Sequence, residues 1–165
     1  MTRRLFLAFL PAALVAGCGF QLRRHDGIPF ATLYLDAPAG GAVAQRLRSS
    51  LVANRRTRLV ASAEEADAVL HLGQESRSKT ILSLSGAGRV TEYRLRLALR
   101  YSVSGRGGTA LAAEETIELT RDLTYDDAQI LAKAAEENLL YRDMDETAAL
   151  RIVRRLQALK PGNGS

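Results

Sequence analysis

The chain has 165 residues, 47% hydrophobic and 25% charged, with a formal net charge of +5 and one cysteine. That length suits one domain with its own core. A lone thiol excludes an intramolecular disulfide and a multi-cysteine zinc cluster, and the lack of tryptophan argues against a broad aromatic platform for sugars.

Residues 1–17 read as an export signal. Arg3 and Arg4 supply the positive start, and Leu5 to Ala16 is apolar but interrupted by Pro11. The stretch is shorter than the roughly 20 residues a membrane span needs. It ends in Val15-Ala16-Gly17-Cys18, a branched apolar residue, two small ones and the sole cysteine, which is the lipobox pattern. Cleavage before Cys18 is expected, with diacylglycerol on the thiol and a further acyl chain on the freed amine. At about 0.8 kcal/mol per buried methylene, several chains anchor almost irreversibly. Thr2-Arg3-Arg4-Leu5-Phe6-Leu7 also resembles a twin-arginine signal, although two charges before an apolar stretch is the plainer reading. Gly19, where an aspartate would favour the inner membrane, points to the outer one. Loss of two arginines and no acids takes the charge from +5 to +3. No nucleic acid shares an extracytoplasmic compartment, so an anionic lipid or glycolipid headgroup is the expected complement.

Residues 18–30 form the acylated start and a polar tether, 31–160 a single domain and 161–165 a flexible tail. Ala31 to Leu35 alternates as a first strand, and Asp36-Ala37-Pro38-Ala39-Gly40-Gly41 breaks it. Ala42 to Ala53 has Val43, Leu47 and Leu51 on one helical face, with Asn54 as its stop. Arg58-Leu59-Val60 is a short extended piece and Ala68 to Glu75 a strand. The segment 78–89 reads as a long hairpin turning at Gly86-Ala87-Gly88; Ile81, Leu82 and Leu84 belong either to the core or to a projecting tip.

Arg89 to Val103 is the clearest strand. Tyr93, Leu95, Leu97, Leu99, Tyr101 and Val103 alternate with Arg94, Arg96 and Arg100, which predicts one buried face and one basic face. Gly105-Arg106-Gly107-Gly108 turns the chain into a strand over Leu111 to Leu123, whose Glu114 and Glu118 are placed to pair with those arginines. A long helix follows, with Thr124 as its cap, Asp127 three later, and an apolar face through Ile130, Ala134, Tyr141, Met144, Ala148, Ile152, Leu156 and Leu159. Segregated strands and helices predict an α+β domain: one mainly antiparallel or mixed four-stranded sheet with two helices packed on one face, the other face open and basic.

No catalytic constellation emerges. His71 lacks a recognisable nucleophile motif, no G-x-S-x-G occurs, and Gly86-Ala87-Gly88 precedes a strand rather than a phosphate-binding helix. Asp126-Asp127 and Glu136-Glu137 fit a helix start and a solvated helix face. The expectation is a non-enzyme without cofactor or metal. What remains is a surface: Arg89, Arg94, Arg96, Arg100 and Lys133. An ordinary solvated face, with the strand arginines paired to glutamates, is the competing reading.

Several segments in order resemble one family: Cys18-Gly19-Phe20-Gln21-Leu22-Arg23, Thr91-Glu92-Tyr93, Thr124-Tyr125-Asp126-Asp127, Leu131-Ala132-Lys133 and Leu140-Tyr141-Arg142-Asp143-Met144. Together they are similar to the LPS-assembly lipoproteins of the LptE family and cover nearly the whole chain. The resemblance implies an outer-membrane lipoprotein, anchored from the periplasmic side through Cys18. It implies a one-to-one complex with the barrel LptD, within the barrel lumen, as a plug that helps the barrel fold and binds lipopolysaccharide for delivery to the outer leaflet. It carries lipopolysaccharide binding to Lys133, which follows Leu131-Ala132 as in the family. The second basic position matches inexactly, and Arg89 stands in for it; Arg94 and Arg96 are further candidates. A stand-alone periplasmic lipoprotein that binds anionic glycolipid is the alternative.

Overall fold

A computed structural model of the chain describes residues 27–53 and 57–160. The expected signal peptide, Cys18 with most of its tether, the Asn54 stop and the tail 161–165 lie outside the described residues.

The elements follow in order: β1 (Thr32–Asp36), α1 (Ala42–Ala53), β2 (Arg58–Leu59), β3 (Ala68–Leu72), β4 (Ser76–Leu84), β5 (Val90–Gly105), β6 (Ala110–Thr124) and α2 (Ile130–Ala158). The fold is α+β, as the segregated pattern predicts. The sheet has six strands rather than four, because two-residue β2 joins it and the stretch 68–84 divides into β3 and β4. β1 pairs parallel with β2 and with β3, while β3, β4 and β6 pair antiparallel with β5. The sheet is therefore mixed. β3 and β4 lie end to end along one edge of β5, and β6 runs along the other. Gly73 N–H still donates to Arg100 O at 2.8 Å between them, so the break is a kink in one long run.

Alternation sets the core. Leu95, Leu97, Leu99, Tyr101 and Val103 of β5 are buried, with Ile117, Leu119 and Leu123 of β6 and Leu33 and Leu35 of β1. Val43, Leu47 and Leu51 of α1 and Met144, Ala148, Ile152 and Leu156 of α2 close over that face. Each fully buried leucine contributes about 2 kcal/mol.

Two details of α2 differ from expectation. Thr124 is the last residue of β6, not the cap; Asp126 accepts from Ala128 N–H at 3.0 Å and starts a 3-10 turn over Asp127–Gln129 that leads into α2. Ile130 and Ala134 are exposed, so the buried stripe begins only at Met144. The helical period holds, but the helix outruns the sheet's apolar face, and its first half meets mainly charged side chains instead.

Candidate functional site

β4 explains why. Its residues Arg77, Lys79 and Ile81 stand opposite Leu97, Leu95 and Tyr93, so they point to the helix side of the sheet. Charged side chains turned inward on an edge strand discourage pairing with other chains. Here they bind α2. Arg77 Nη2 donates to Asp145 Oδ1 at 2.8 Å and its guanidinium lies 5.1 Å from the Tyr141 ring centroid. Tyr141 O–H donates to Ser78 O at 3.0 Å. Lys79 Nζ donates to Glu137 Oε2 at 2.6 Å and sits 4.2 Å from the Tyr93 ring centroid, which meets Tyr125 edge-on at 5.0 Å. The first half of α2 is thus held by polar and cation–π contacts rather than by a buried apolar stripe.

These contacts orient α2 antiparallel to β4, with Glu137 over Lys79 and Asp145 over Arg77. The start of α2 therefore lies at the β4–β5 turn. Tyr125 N–H donates to Thr91 O at 2.8 Å and fixes the same end. The turn is closed by Ser85 N–H to Arg89 O at 2.7 Å and Gly88 N–H to Ser85 O at 2.9 Å, with Gly88 at φ +75°, where a side chain would be strained.

Arg89 and Lys133, far apart in sequence, come to this one end. Arg89 is exposed in the turn, and none of the ion pairs among the described residues involves it. Lys133 is largely covered, with its side chain 17% exposed and Nζ 2.9 Å from Glu136 Oε2. Ile81, Leu82 and Leu84 are exposed, so that segment is a projecting tip and not core.

Arg94 and Arg96 lie on the opposite face of β5. Arg94 forks onto Asp122 at 2.8 and 3.1 Å, and Arg96 onto Glu118 at 2.7 and 2.6 Å. Arg100 approaches Glu114 at 3.7 Å. The arginine hydrogen bonds hold the Asp122 and Glu118 carboxyls below their usual range. The outer face of β5 and β6 is a charge-balanced ladder rather than the basic stripe read from β5 alone. The acids of β6 carry that signal: antiparallel register sets Asp122 directly opposite Arg94, while Arg96 and Arg100 reach Glu118 and Glu114 diagonally.

His71 lies between Asp36 and Ser104. Its Nδ1 is 2.9 Å from Asp36 Oδ2 and its Nε2 3.0 Å from Ser104 Oγ, an arrangement invisible in sequence because three strands contribute it. The order of groups resembles a Ser-His-Asp triad. Ser104, however, sits within β5 beside an irregularity in the pairing with β6, bonded on both sides, to Val69 and Ala110, and not on an exposed turn. The row joins β1, β3 and β5 across the solvent face.

The family model LptE, lipopolysaccharide-assembly, matches residues 30–156. The chain is 31% identical to the LPS-assembly lipoprotein LptE of Pectobacterium atrosepticum, covering 100% of this chain and 90% of the relative. Against the LPS-assembly lipoprotein LptE of Photorhabdus laumondii subsp. laumondii it is 29% identical, over 89% and 81%. The solution structure of lipoprotein B from Nitrosomonas europaea superposes with a TM-score of 0.73 at 38% identity, covering 85% of this chain and 91% of that one. Rare lipoprotein B from Shewanella oneidensis gives 0.67 at 30% identity, covering 76% and 92%. The matched family is one of assembly lipoproteins, not enzymes, and no helix among the described residues is long and apolar enough to cross a membrane. With the family match spanning β1 to the last turns of α2, and two relatives similar over most of their length, the chain belongs to the LptE family of lipopolysaccharide-assembly lipoproteins.

Proposed function

We propose that the protein is the lipid-anchored subunit of an outer-membrane lipopolysaccharide translocon. In this reading Cys18 carries the acyl anchor, and the domain sits one-to-one in the lumen of the LptD barrel, plugs it and helps it fold. The end formed by the β4–β5 turn and the start of α2 binds lipopolysaccharide for delivery to the outer leaflet. Arg89 and Lys133 are assigned to the phosphates, since guanidinium and ammonium donors bind phosphate oxygens by charge-assisted hydrogen bonds.

The observation that carries this reading is the convergence of Arg89 and Lys133 at one end, although Arg89 lies in the β4–β5 turn and Lys133 in α2. The ladder of Arg94–Asp122 and Arg96–Glu118 supports the plug as well, because a charge-balanced face suits a polar barrel lumen. Arg94 and Arg96 would then meet the barrel wall or, with their acids displaced, lipopolysaccharide.

Two measurements test it. Gentle extraction of outer membranes should recover the chain with a large barrel protein, and recovery as a lone monomer would favour a stand-alone glycolipid-binding lipoprotein. Charge reversal of Arg89 and Lys133 to glutamate should weaken lipopolysaccharide binding at least about tenfold, the loss of one to two charge-assisted contacts. Unchanged binding would remove both residues from the site.

A further inference from the structure

Of the large hydrophobic side chains left exposed, Ile81, Leu82 and Leu84 of β4 and Ile130 and Leu131 of α2 belong to the end that carries Arg89 and Lys133. Leu131 is 88% exposed and Ile81, Leu84 and Ile130 more than half. Their placement follows from backbone pairing. Ile81 stands opposite Tyr93 and Leu84 opposite Val90, while Tyr125, joined to Thr91, leads into α2 five residues later. Clustered exposed aliphatics of this kind mark an interaction surface, whereas scattered ones do not.

The polar groups nearby are engaged with each other. Ser83 Oγ lies 2.6 Å from Thr91 Oγ1 and donates to Glu92 Oε2 at 3.1 Å. The turn is closed by its own backbone bonds, so the surface is formed before anything binds and loses little freedom on binding. What faces outward is aliphatic chemistry beside an arginine with no acidic partner among the described residues. A phosphorylated, multiply acylated glycolipid offers the complement to both, with anionic headgroup to the cations and hydrocarbon to the isoleucines and leucines.

We infer that Ile81, Leu84, Ile130 and Leu131 form an acyl-chain subsite that receives the hydrocarbon of the lipid whose phosphates meet Arg89 and Lys133. This rests on the functional reading above and adds a second, apolar half to its site. The aliphatic groups shield part of one or two chains from water while the headgroup is held, so that affinity depends on acylation and not on phosphate alone.

The test compares two probes on the full chain: intact lipopolysaccharide and its deacylated, phosphate-bearing backbone. The triple substitution Ile81→Ser, Leu84→Ser, Leu131→Ser alters exposed positions only, and an unchanged melting temperature verifies its fold. It should lose at least about tenfold affinity for intact lipopolysaccharide, given the apolar area removed, and bind the deacylated backbone as the unsubstituted chain does. The Arg89→Glu, Lys133→Glu chain should lose both probes. Unchanged binding of intact lipopolysaccharide by the triple variant would overturn the subsite and leave the functional reading standing. So would loss of barrel co-purification with lipid binding intact, which would make the surface a protein contact. No binding of either probe by the unsubstituted chain would remove the lipopolysaccharide half of the functional reading and the subsite together.

Discussion

Arg77 and Asp145 join β4 to the middle of α2 through a 2.8 Å ion pair in which the carboxylate is 4% exposed and the guanidinium 37%. Burial pushes the Asp145 carboxyl up, and Arg77 opposes that rise. The two partners are unequal. Removing Asp145 leaves a guanidinium that water reaches, whereas removing Arg77 leaves a buried charge alone. Arg77→Ala should therefore cost about 3 kcal/mol and Asp145→Ala less. The pH sign follows from the raised carboxyl: its ionisation opposes folding, so the Arg77→Ala deficit shrinks as pH falls through the folded pKa and Asp145 protonates. Melting temperatures of both variants between neutral and acidic pH check this. Arg77→Met with Asp145→Leu should regain most of the loss, as hydrophobic replacement of buried pairs often does.

Lys79 and Glu137 hold the start of α2, and Lys133 is one helical turn from Glu137 on the same face. Both side chains are only partly covered, so the pair itself is worth about 1 kcal/mol or less, with a similar contribution from the Tyr93 ring. Lys79→Glu or Glu137→Lys should speed amide exchange over 130–143 more than over 144–158, and weaken lipopolysaccharide binding several-fold. The double swap should restore part of both. Uniform exchange along α2 in the single variants would contradict the polar clamp.

Glu75 caps α1 from a distance. Its carboxylate accepts from Ala42 N–H at 3.2 Å and Val43 N–H at 2.8 Å, in place of a local capping side chain. A Cβ at Gly41 would meet Glu75 Oε1 at 2.8 Å. Glu75→Ala should cost about 1 kcal/mol. Gly41→Ala should displace the cap for a loss of the same order, read as a lower urea midpoint. The two losses should be less than additive, since both remove one interaction.

Tyr101 is buried, and its O–H donates to Glu115 Oε2 at 2.7 Å; burial first, then that carboxylate, pushes the phenol up to about 12. In the unfolded chain it ionises near the ordinary value of about 10. Between these limits the unfolded state holds fewer protons, so stability present below pH 10 falls as pH rises toward 12. Tyrosinate absorbance should show one phenol titrating late, and Tyr101→Phe should remove that step and flatten the alkaline loss of stability. An unaltered titration would place the late step elsewhere.

Strand β5 was legible because period-two alternation over Tyr93 to Val103 is a local property that burial of one face imposes. The α1 face through Val43, Leu47 and Leu51 was legible for the same reason at helical period. The roles proposed for Lys133 and Cys18 rest on the sequence alone, on the neighbours Leu131-Ala132 and on the lipobox. Other features depended on partners distant in the chain. Glu118 is legible as a partner for a β5 arginine, whereas Asp122, which register sets directly opposite Arg94, is not singled out by the sequence. The Asp36–His71–Ser104 row needs three strands in register.

By itself the sequence determined the α+β class, the two helices, the buried face of β5 and the family, because alternation, helical period and ordered motifs are written along one chain. Only the tertiary structure decided that β4 points charges inward, that Lys79 and Arg77 hold the first half of α2, where only Leu140 and Tyr141 pack against the core, and that Ile81 and Leu84 form a tip. The physical reason is that apolar periodicity reports which residues avoid water only where a partner face exists to cover them. α2 extends beyond that face, and there its charged contacts, set by strand register, decide what is exposed and what the exposed end meets.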